Sequence, residues 1–306
     1  MSSTSRVRAT GRGRLFRLLW LGLLLLALTA CSAVKVAYNN VDVYLLWKAE
    51  RYFALDSGQK ARLRTELDSI SVWHRSEELA RYASAIVALR ERVGSGISET
   101  DIEWLMTSAR LRYEALARHA APGAAAVLSS LTPAQIAHFE AKLRRENDEF
   151  AAEFVDPSPE VQRRERFQRT LDLMEAWVGP LSETQRTRME RLSFELPLTG
   201  ALRHADRQRR QQALIALLEQ HRTPEALAPG LEAWMIEWDQ GRAPEYQALA
   251  GETRRQNVAM VVALDRSLSR KQRVRLQERL TRYAGEFESL ALTPPVRTAA
   301  LDLSAL

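Results

Sequence analysis

A short pattern that recurs four times constrains the fold more than any other feature of this sequence. Each copy reads Leu, then Asp, Ser or Thr, then two further residues and Gln. In such a capping box the first polar side chain accepts a hydrogen bond from the N–H three residues later, and the Gln accepts one from the cap residue. The copies lie at 55–59, 131–135, 181–185 and 268–272. The pattern therefore predicts four helices with defined first residues.

The spacing of the four copies leaves their relationship open. They are unevenly placed along the chain, which argues against a solenoid of regular repeats. One alternative is a duplicated pair of long helical hairpins. The other is that four unrelated helices merely share good caps.

The composition between the copies favours helix throughout. Good helix formers dominate, Gly and Pro collect at junctions, and no run of alternating β-branched residues predicts a strand. We predict an all-α, multi-helix bundle of about ten helices in one domain, 39–292, with a division into two subdomains near 156–180 left open. The expected helices are 40–54, 57–92 (kinked or split), 99–120, 133–155, 159–178, 183–196, 201–221, 224–239, 243–266 and 270–290.

The first 30 residues are typical of a targeting segment. Five arginines precede an apolar stretch at 18–28, which is shorter than the about 20 residues that span a bilayer. The stretch ends in Leu28-Thr29-Ala30-Cys31, which resembles the lipobox of bacterial lipoproteins. The resemblance implies that 1–30 is a removed signal peptide and that Cys31 carries a diacylglycerol and an N-acyl chain. The alternative is an ordinary N-terminal anchor helix.

Several further expectations follow from the lipobox. Residues 31–38 become a short tether, 293–306 a C-terminal tail, and the membrane a partner through the lipid anchor. Ser32 after the cysteine favours the outer over the inner membrane, with the domain facing the periplasm. No other cofactor is expected. Cys31 is the single cysteine, so its expected acylation also leaves no cysteine for a zinc or catalytic site.

The charge balance argues against nucleic acid as a partner. Five of the 44 Lys and Arg residues lie in 1–30, so 39 remain against 38 Asp and Glu. A nearly neutral mature chain lacks the basic excess that binds a phosphate backbone.

Two resemblances accompany these patterns. The copy at 131–135, Leu-Thr-Pro-Ala-Gln, is similar to the motif of the periplasmic Spy- and CpxP-like chaperones and stress sensors, which are helical. A broader resemblance links the chain to a family of Gram-negative bacterial lipoproteins known only as a domain of unknown function. It implies a helical envelope lipoprotein and no particular activity. The residues that carry it include Tyr38-Asn39-Asn40-Val41-Asp42, Trp47, Arg51-Tyr52-Phe53, Trp73-His74-Arg75, Glu78 and Tyr82.

The segment between residues 38 and 82 is the candidate site. Its aromatic residues form a possible lining, and its polar residues a network or a pocket if they converge. Its first helix is apolar nearly all round, which indicates either a core helix or one that lies against a membrane or lines a ligand. The candidate aromatic lining is Tyr44, Trp47, Phe53, Trp73 and Tyr82, and the candidate polar residues are Asp42, Arg51, His74, Arg75 and Glu78.

Neither a metal site nor a nucleophile is predicted. The five histidines do not share a helix face at i,i+4, and no Gly-x-Ser-x-Gly elbow occurs. We therefore expect a non-enzymatic role, in which the protein binds another envelope protein or acts like a chaperone. The alternatives are an envelope enzyme acting on peptidoglycan or lipid, and a carrier of an apolar ligand.

Overall fold

The computed structural model describes residues 33–293, and the predicted signal peptide, Cys31 and Ser32 lie outside them. The described part of the chain consists of helices and connecting turns, so the predicted all-α class is confirmed. The helices are α1 Ala33–Asn39, α2 Val41–Phe53, α3 Ser57–Trp73, α4 Leu79–Ser95, α5 Glu99–Leu128, α6 Pro133–Phe154, α7 Pro159–Val178, α8 Glu183–Glu195, α9 Gly200–Gln220, α10 Pro224–Ile236, α11 Pro244–Ser267 and α12 Arg270–Leu292, and a π-helix, His74–Glu78, joins α3 to α4. Residues 42–293 belong to one compact unit, and 33–41 to another.

All four predicted capping boxes form. In each, the Asp, Ser or Thr side chain accepts from the backbone of the Gln, and the Gln side chain accepts from the cap residue. The four caps are Asp56, Thr132, Ser182 and Ser269, at the starts of α3, α6, α8 and α12. The start of each of these helices is therefore fixed by local chemistry.

The first two boxes are joined through their glutamines. Gln59 Nε2 donates to Gln135 Oε1 over 3.2 Å, and Gln135 Nε2 donates to Gln59 Oε1 over 2.7 Å. Each amide also donates to the carbonyl two residues before the partner's cap, Gln59 to Ser130 and Gln135 to Ala54, both over 3.0 Å. Each glutamine thus gives a hydrogen-bond partner to a backbone carbonyl just before the other helix.

The third and fourth boxes repeat this arrangement atom for atom. Gln185 and Gln272 exchange amide hydrogen bonds of 3.1 Å. Gln185 donates to the Ser267 carbonyl over 2.8 Å and Gln272 to that of Pro180 over 2.9 Å, again two residues before the partner's cap. Of the two alternatives that the sequence left open, this shared geometry favours the duplication.

The repeated arrangement extends to a helix pair in each half of the chain. In the first half, α2–α6, α3 packs on α5, and in the second half, α7–α12, α8 packs on α11, the equivalent pair. The connecting helices are exchanged between the halves. The connector of the first half, α4, packs along α12, whereas the α9–α10 hairpin of the second half packs on α6 and α5.

Two apolar clusters form the core. One joins Leu55, Leu131 and Phe139 of the first half to Leu218 and Leu227 of the α9–α10 hairpin. The other lies within the second half, around Phe167, Leu171, Met189, Met260 and Leu264. Because the first cluster includes the hairpin, the first half is completed by residues from the second.

The predicted helix boundaries differ from the structure mainly in α5. The sequence placed its end at residue 120 because Pro122 and Gly123 follow. The helix instead continues to Leu128, since Ala121 and Ala125 on either side of the proline are fully buried. The stabilisation from packing α5 against α10 exceeds the loss of the one backbone hydrogen bond that Pro122 cannot form.

Two smaller differences concern the N-terminal half. The expected break in 57–92 is a π-helix at His74–Glu78, so the chain stays helical from Ser57 to Ser95. Residues 33–38 of the expected tether lie in α1, and a helix advances about 1.5 Å per residue where an extended chain advances about 3.3 Å. This stretch therefore reaches less far than an extended tether.

The glutamine pairs should contribute measurably to stability. We expect Gln185→Met to lower the free energy of unfolding by about 2 kcal/mol, because it leaves the Ser182 N–H and the Ser267 carbonyl without side-chain partners. Chemical denaturation checks this, with Gln168→Met, on the exposed face of α7, as the control near zero. The double variant with Gln272→Met should lose less than the sum of the single losses, and strict additivity would contradict the pairing.

Candidate functional site

Three of the five candidate residues of α2, Tyr44, Trp47 and Arg51, line a pocket of about 200 Å³ between this helix and α6. The rings of Tyr44 and Trp47 lie 5.9 Å apart, and the Arg51 guanidinium lies 4.8 Å from the centre of the Trp47 ring. Lys48 places its ammonium 5.6 Å from the Tyr52 ring. The pocket, called the α2–α6 pocket below, is lined by Tyr44, Trp47, Lys48, Arg51, Tyr52, Lys142 and Glu146.

One carboxylate organises the floor of the α2–α6 pocket. Glu146 accepts hydrogen bonds from the Tyr52 hydroxyl and, over 3.0 Å, from Arg207, and it lies 3.5 Å from the Lys142 ammonium. Burial, together with the bond to this carboxylate, raises the pKa of Tyr52 to about 12. Since Glu146 already has these partners, the pocket presents a surplus of positive charge to solvent.

Two other predicted residues of α2 lie elsewhere. Phe53 packs on Phe139 with ring centres 4.5 Å apart, as part of the first core cluster. Asp42 lies in the first turn of α2, where a carboxylate complements the helix dipole.

A second group of candidates gathers at the π-helix. His74 and Tyr82 are joined by a hydrogen bond of 3.0 Å between the imidazole and the hydroxyl. Trp73 stacks on His119 of α5, with ring centres 4.1 Å apart and planes inclined by 10°. Burial lowers the pKa of His74, with Arg75 adding to this and Glu78 opposing it.

Arg75 and Glu78 are buried and hold other helices in place. Arg75 donates to the carbonyls of Leu290 and Thr293 over 3.0 and 3.2 Å, at the C-terminus of α12. Glu78 is fully buried and pairs with Arg81 over 2.6 Å and with Arg112 over 3.3 Å. The structure therefore does not bring the five candidate polar residues together. Arg51 lines the α2–α6 pocket, Asp42 lies outside it in the first turn of α2, and the π-helix contains His74, Arg75 and Glu78.

Beside the ion-pair network of Glu78 lies an open groove of about 450 Å³ between α4 and α5. Its floor consists of small side chains, and Leu111 at its edge is 51% exposed. The α4–α5 groove is lined by Ala80, Arg81, Ser84 and Ala85 of α4 and by Ser108, Leu111 and Arg112 of α5.

Sequence reasoning missed several of these residues. Lys142 and Glu146 enter the α2–α6 pocket from a helix that is distant in sequence, and no local motif marks either of them. The groove residues are alanines, serines and a leucine, which ordinary helices also carry. Across residues 33–293, no group of three or more His, Cys, Asp or Glu side chains is placed to hold a metal ion. In the same range no helix combines the length and apolar character needed to cross a bilayer.

Comparison with known protein families gives one match. Residues 51–247 match the model of a family of unknown function, DUF6279. This chain belongs to the DUF6279 family. No curated protein and no solved structure matches it, so the resemblance to Spy- and CpxP-like chaperones stays a prediction.

The DUF6279 match stops short of the structural unit. It begins at Arg51 in α2 and ends at Gln247, near the start of α11. The fourth capping box and all of α12 follow this point, although Gln272 pairs with Gln185 inside the match. The second half of the duplication is therefore complete only beyond the DUF6279 boundary.

The buried carboxylate of this DUF6279 protein should be important for stability. We expect Glu78→Gln to lower the free energy of unfolding by about 2 kcal/mol, because two half-exposed guanidiniums lose their shared anion. Glu77→Gln is the matched control, since Glu77 is 52% exposed and pairs with the same Arg81. Equal losses in the two variants, measured by urea denaturation, would show that burial of the carboxylate is unimportant.

The imidazole at the π-helix should make stability depend on pH. Because burial lowers the pKa of His74, protonation favours the unfolded chain, and stability falls as the pH decreases through the ordinary histidine range. His74→Gln keeps a polar partner for Tyr82 but does not titrate. We expect the wild type to lose more stability than this variant between about pH 7.5 and 5. Parallel pH curves in thermal melts would contradict this assignment.

Proposed function

We propose that this protein is a lipid-anchored, periplasm-facing envelope protein with a non-enzymatic binding role, and that the α4–α5 groove receives a helical segment of an envelope protein partner. The anchor is the expected acylated Cys31, and Ser32 favours the outer membrane. The observation that carries the binding role is the open groove itself, with its floor of small residues and its exposed Leu111.

The dimensions and side chains of the groove suit a helix. Small residues let a second backbone approach closely, and an apolar side chain at the edge provides an anchoring contact, as in recognition of an amphipathic helix. The lining residues of α4 run from Ala80 to Ala85, which at about 1.5 Å per residue corresponds to about one and a half turns of helix.

The position of the candidate carboxylate Glu78 also favours binding over catalysis. An acid–base pair would need a carboxylate that reaches a substrate. Glu78 is instead fully buried and paired with Arg81 and Arg112.

The groove is tested by changing one exposed leucine. We expect Leu111→Glu to abolish crosslinking of the lipidated protein to its envelope partner, because a carboxylate replaces the apolar anchor. Leu173→Glu is the matched control, since Leu173 is 61% exposed on α7, outside the groove. A photoreactive residue at Ser84 reports whether the crosslinked partner lies in the groove.

The outcomes are distinct. A partner that crosslinks at Ser84, is lost with Leu111→Glu and is kept with Leu173→Glu supports the proposal. If both variants retain the partner, the partner contacts another surface, and the proposal that it binds in the groove is contradicted. Failure of the purified mature protein to retain any envelope protein or to suppress aggregation of a client contradicts the binding role itself.

A further inference from the structure

The α2–α6 pocket and the exposed face of α2 beside it form a second candidate binding site. We propose that this pocket binds the phosphate of an anionic lipid headgroup, with α2 lying against the membrane surface. The inference is independent of the α4–α5 groove, which is formed by other helices.

The charged side chains of the pocket favour the binding of an anion. Lys48, Arg51 and Lys142 line it, and the single carboxylate, Glu146, is shared among Tyr52, Arg207 and Lys142. Lys48 and Lys142 both lie near the Tyr52 ring, at 5.6 and 5.9 Å from its centre. Three cationic side chains against one shared carboxylate leave a net positive charge, which a bound phosphate would offset.

The size of the pocket indicates a small group. Its volume of about 200 Å³ is below the roughly 300–1,000 Å³ of pockets that enclose a whole drug-sized ligand. A headgroup phosphate with its neighbouring atoms fits this scale, while the rest of the lipid stays outside. The aromatic walls, Tyr44 and Trp47, are residue types enriched at membrane–water interfaces.

The exposed face of α2 indicates a membrane as the source of the phosphate. No residue of this helix is buried, and Tyr44 and Leu45 are 49% and 42% exposed. Lys48 and Arg51 follow on the same face, one and two turns further along, and both are exposed. Apolar and aromatic side chains next to basic ones are the arrangement by which an interfacial helix inserts its rings and pairs its charges with anionic lipids.

The experiment uses the mature chain without its anchor, from residue 31 with Cys31→Ala, so that vesicle binding does not depend on a lipid anchor. Cosedimentation is measured with phosphatidylcholine vesicles and with vesicles that also contain phosphatidylglycerol. We expect binding to require phosphatidylglycerol and to weaken about tenfold or more in Lys48→Gln/Arg51→Gln, because each basic group near an anionic surface contributes substantially. The matched control is Arg186→Gln/Arg188→Gln, which removes two exposed arginines from α8.

A second arm distinguishes a lipid headgroup from a free phosphate. Glycerol 3-phosphate is titrated into the same proteins by calorimetry, and Leu45→Ser is added to the vesicle series. Leu45 lies outside the pocket lining, so its change should weaken vesicle binding several-fold and leave the titration unchanged.

Three results would overturn the proposal. Equal loss of vesicle binding in the α2 and α8 variants would mean general charge attraction. Equal binding to vesicles with and without phosphatidylglycerol would mean that no phosphate-bearing anion is recognised. Glycerol 3-phosphate binding without vesicle binding would assign the pocket to a soluble phosphate compound.

Discussion

The reciprocal bond between two glutamine side chains is the interaction on which the rest of the architecture depends. Each glutamine accepts from the cap residue of its own helix and donates to the backbone just before the partner's cap. Since an amide has one acceptor and two donor hydrogens, it can perform both tasks at once. A carboxylate at that position could close the local capping box but could not donate to the partner. The glutamine therefore links local helix initiation to tertiary pairing.

Use of this bond in both halves explains how a chain with so many helices reaches one arrangement. Two helix starts are clamped in each half, which fixes four helices and leaves the connectors to fill the remaining apolar surface. The connectors fill the surface of the opposite half, as α4 does along α12. The π-helix lies where this connector leaves α3, and Arg75 within it binds the last carbonyls of α12. Arg75 thus secures the exchange within the π-helix, where the backbone is underwound relative to an α-helix.

Much of this fold is predictable from the sequence, because capping is local. Asp56, Thr132, Ser182 and Ser269 mark helix starts that the structure confirms. The pairing of the glutamines is not predictable. Four equivalent capping boxes can pair in three ways, and the local sequence does not distinguish among them. The continuation of α5 through Pro122 was missed because burial of its alanines is a tertiary effect. For the α2–α6 pocket, the sequence indicates only the contribution of α2, because its aromatic residues cluster along the chain. Lys142 and Glu146 belong to α6, which is distant in sequence and reaches α2 only in the folded structure.

The exchange of connectors has a consequence for how the protein comes to be folded. The first core cluster needs Leu218 and Leu227, which follow Leu55 by more than half the chain. Forming such distant contacts lowers the entropy of the chain before the stabilising packing is complete. Topologies of this kind therefore fold slowly compared with bundles in which each helix packs on its neighbours in sequence. A chain that is synthesised from its N-terminus exposes the apolar face of its first half until the α9–α10 hairpin has been made. During that interval the exposed face is open to aggregation and proteolysis.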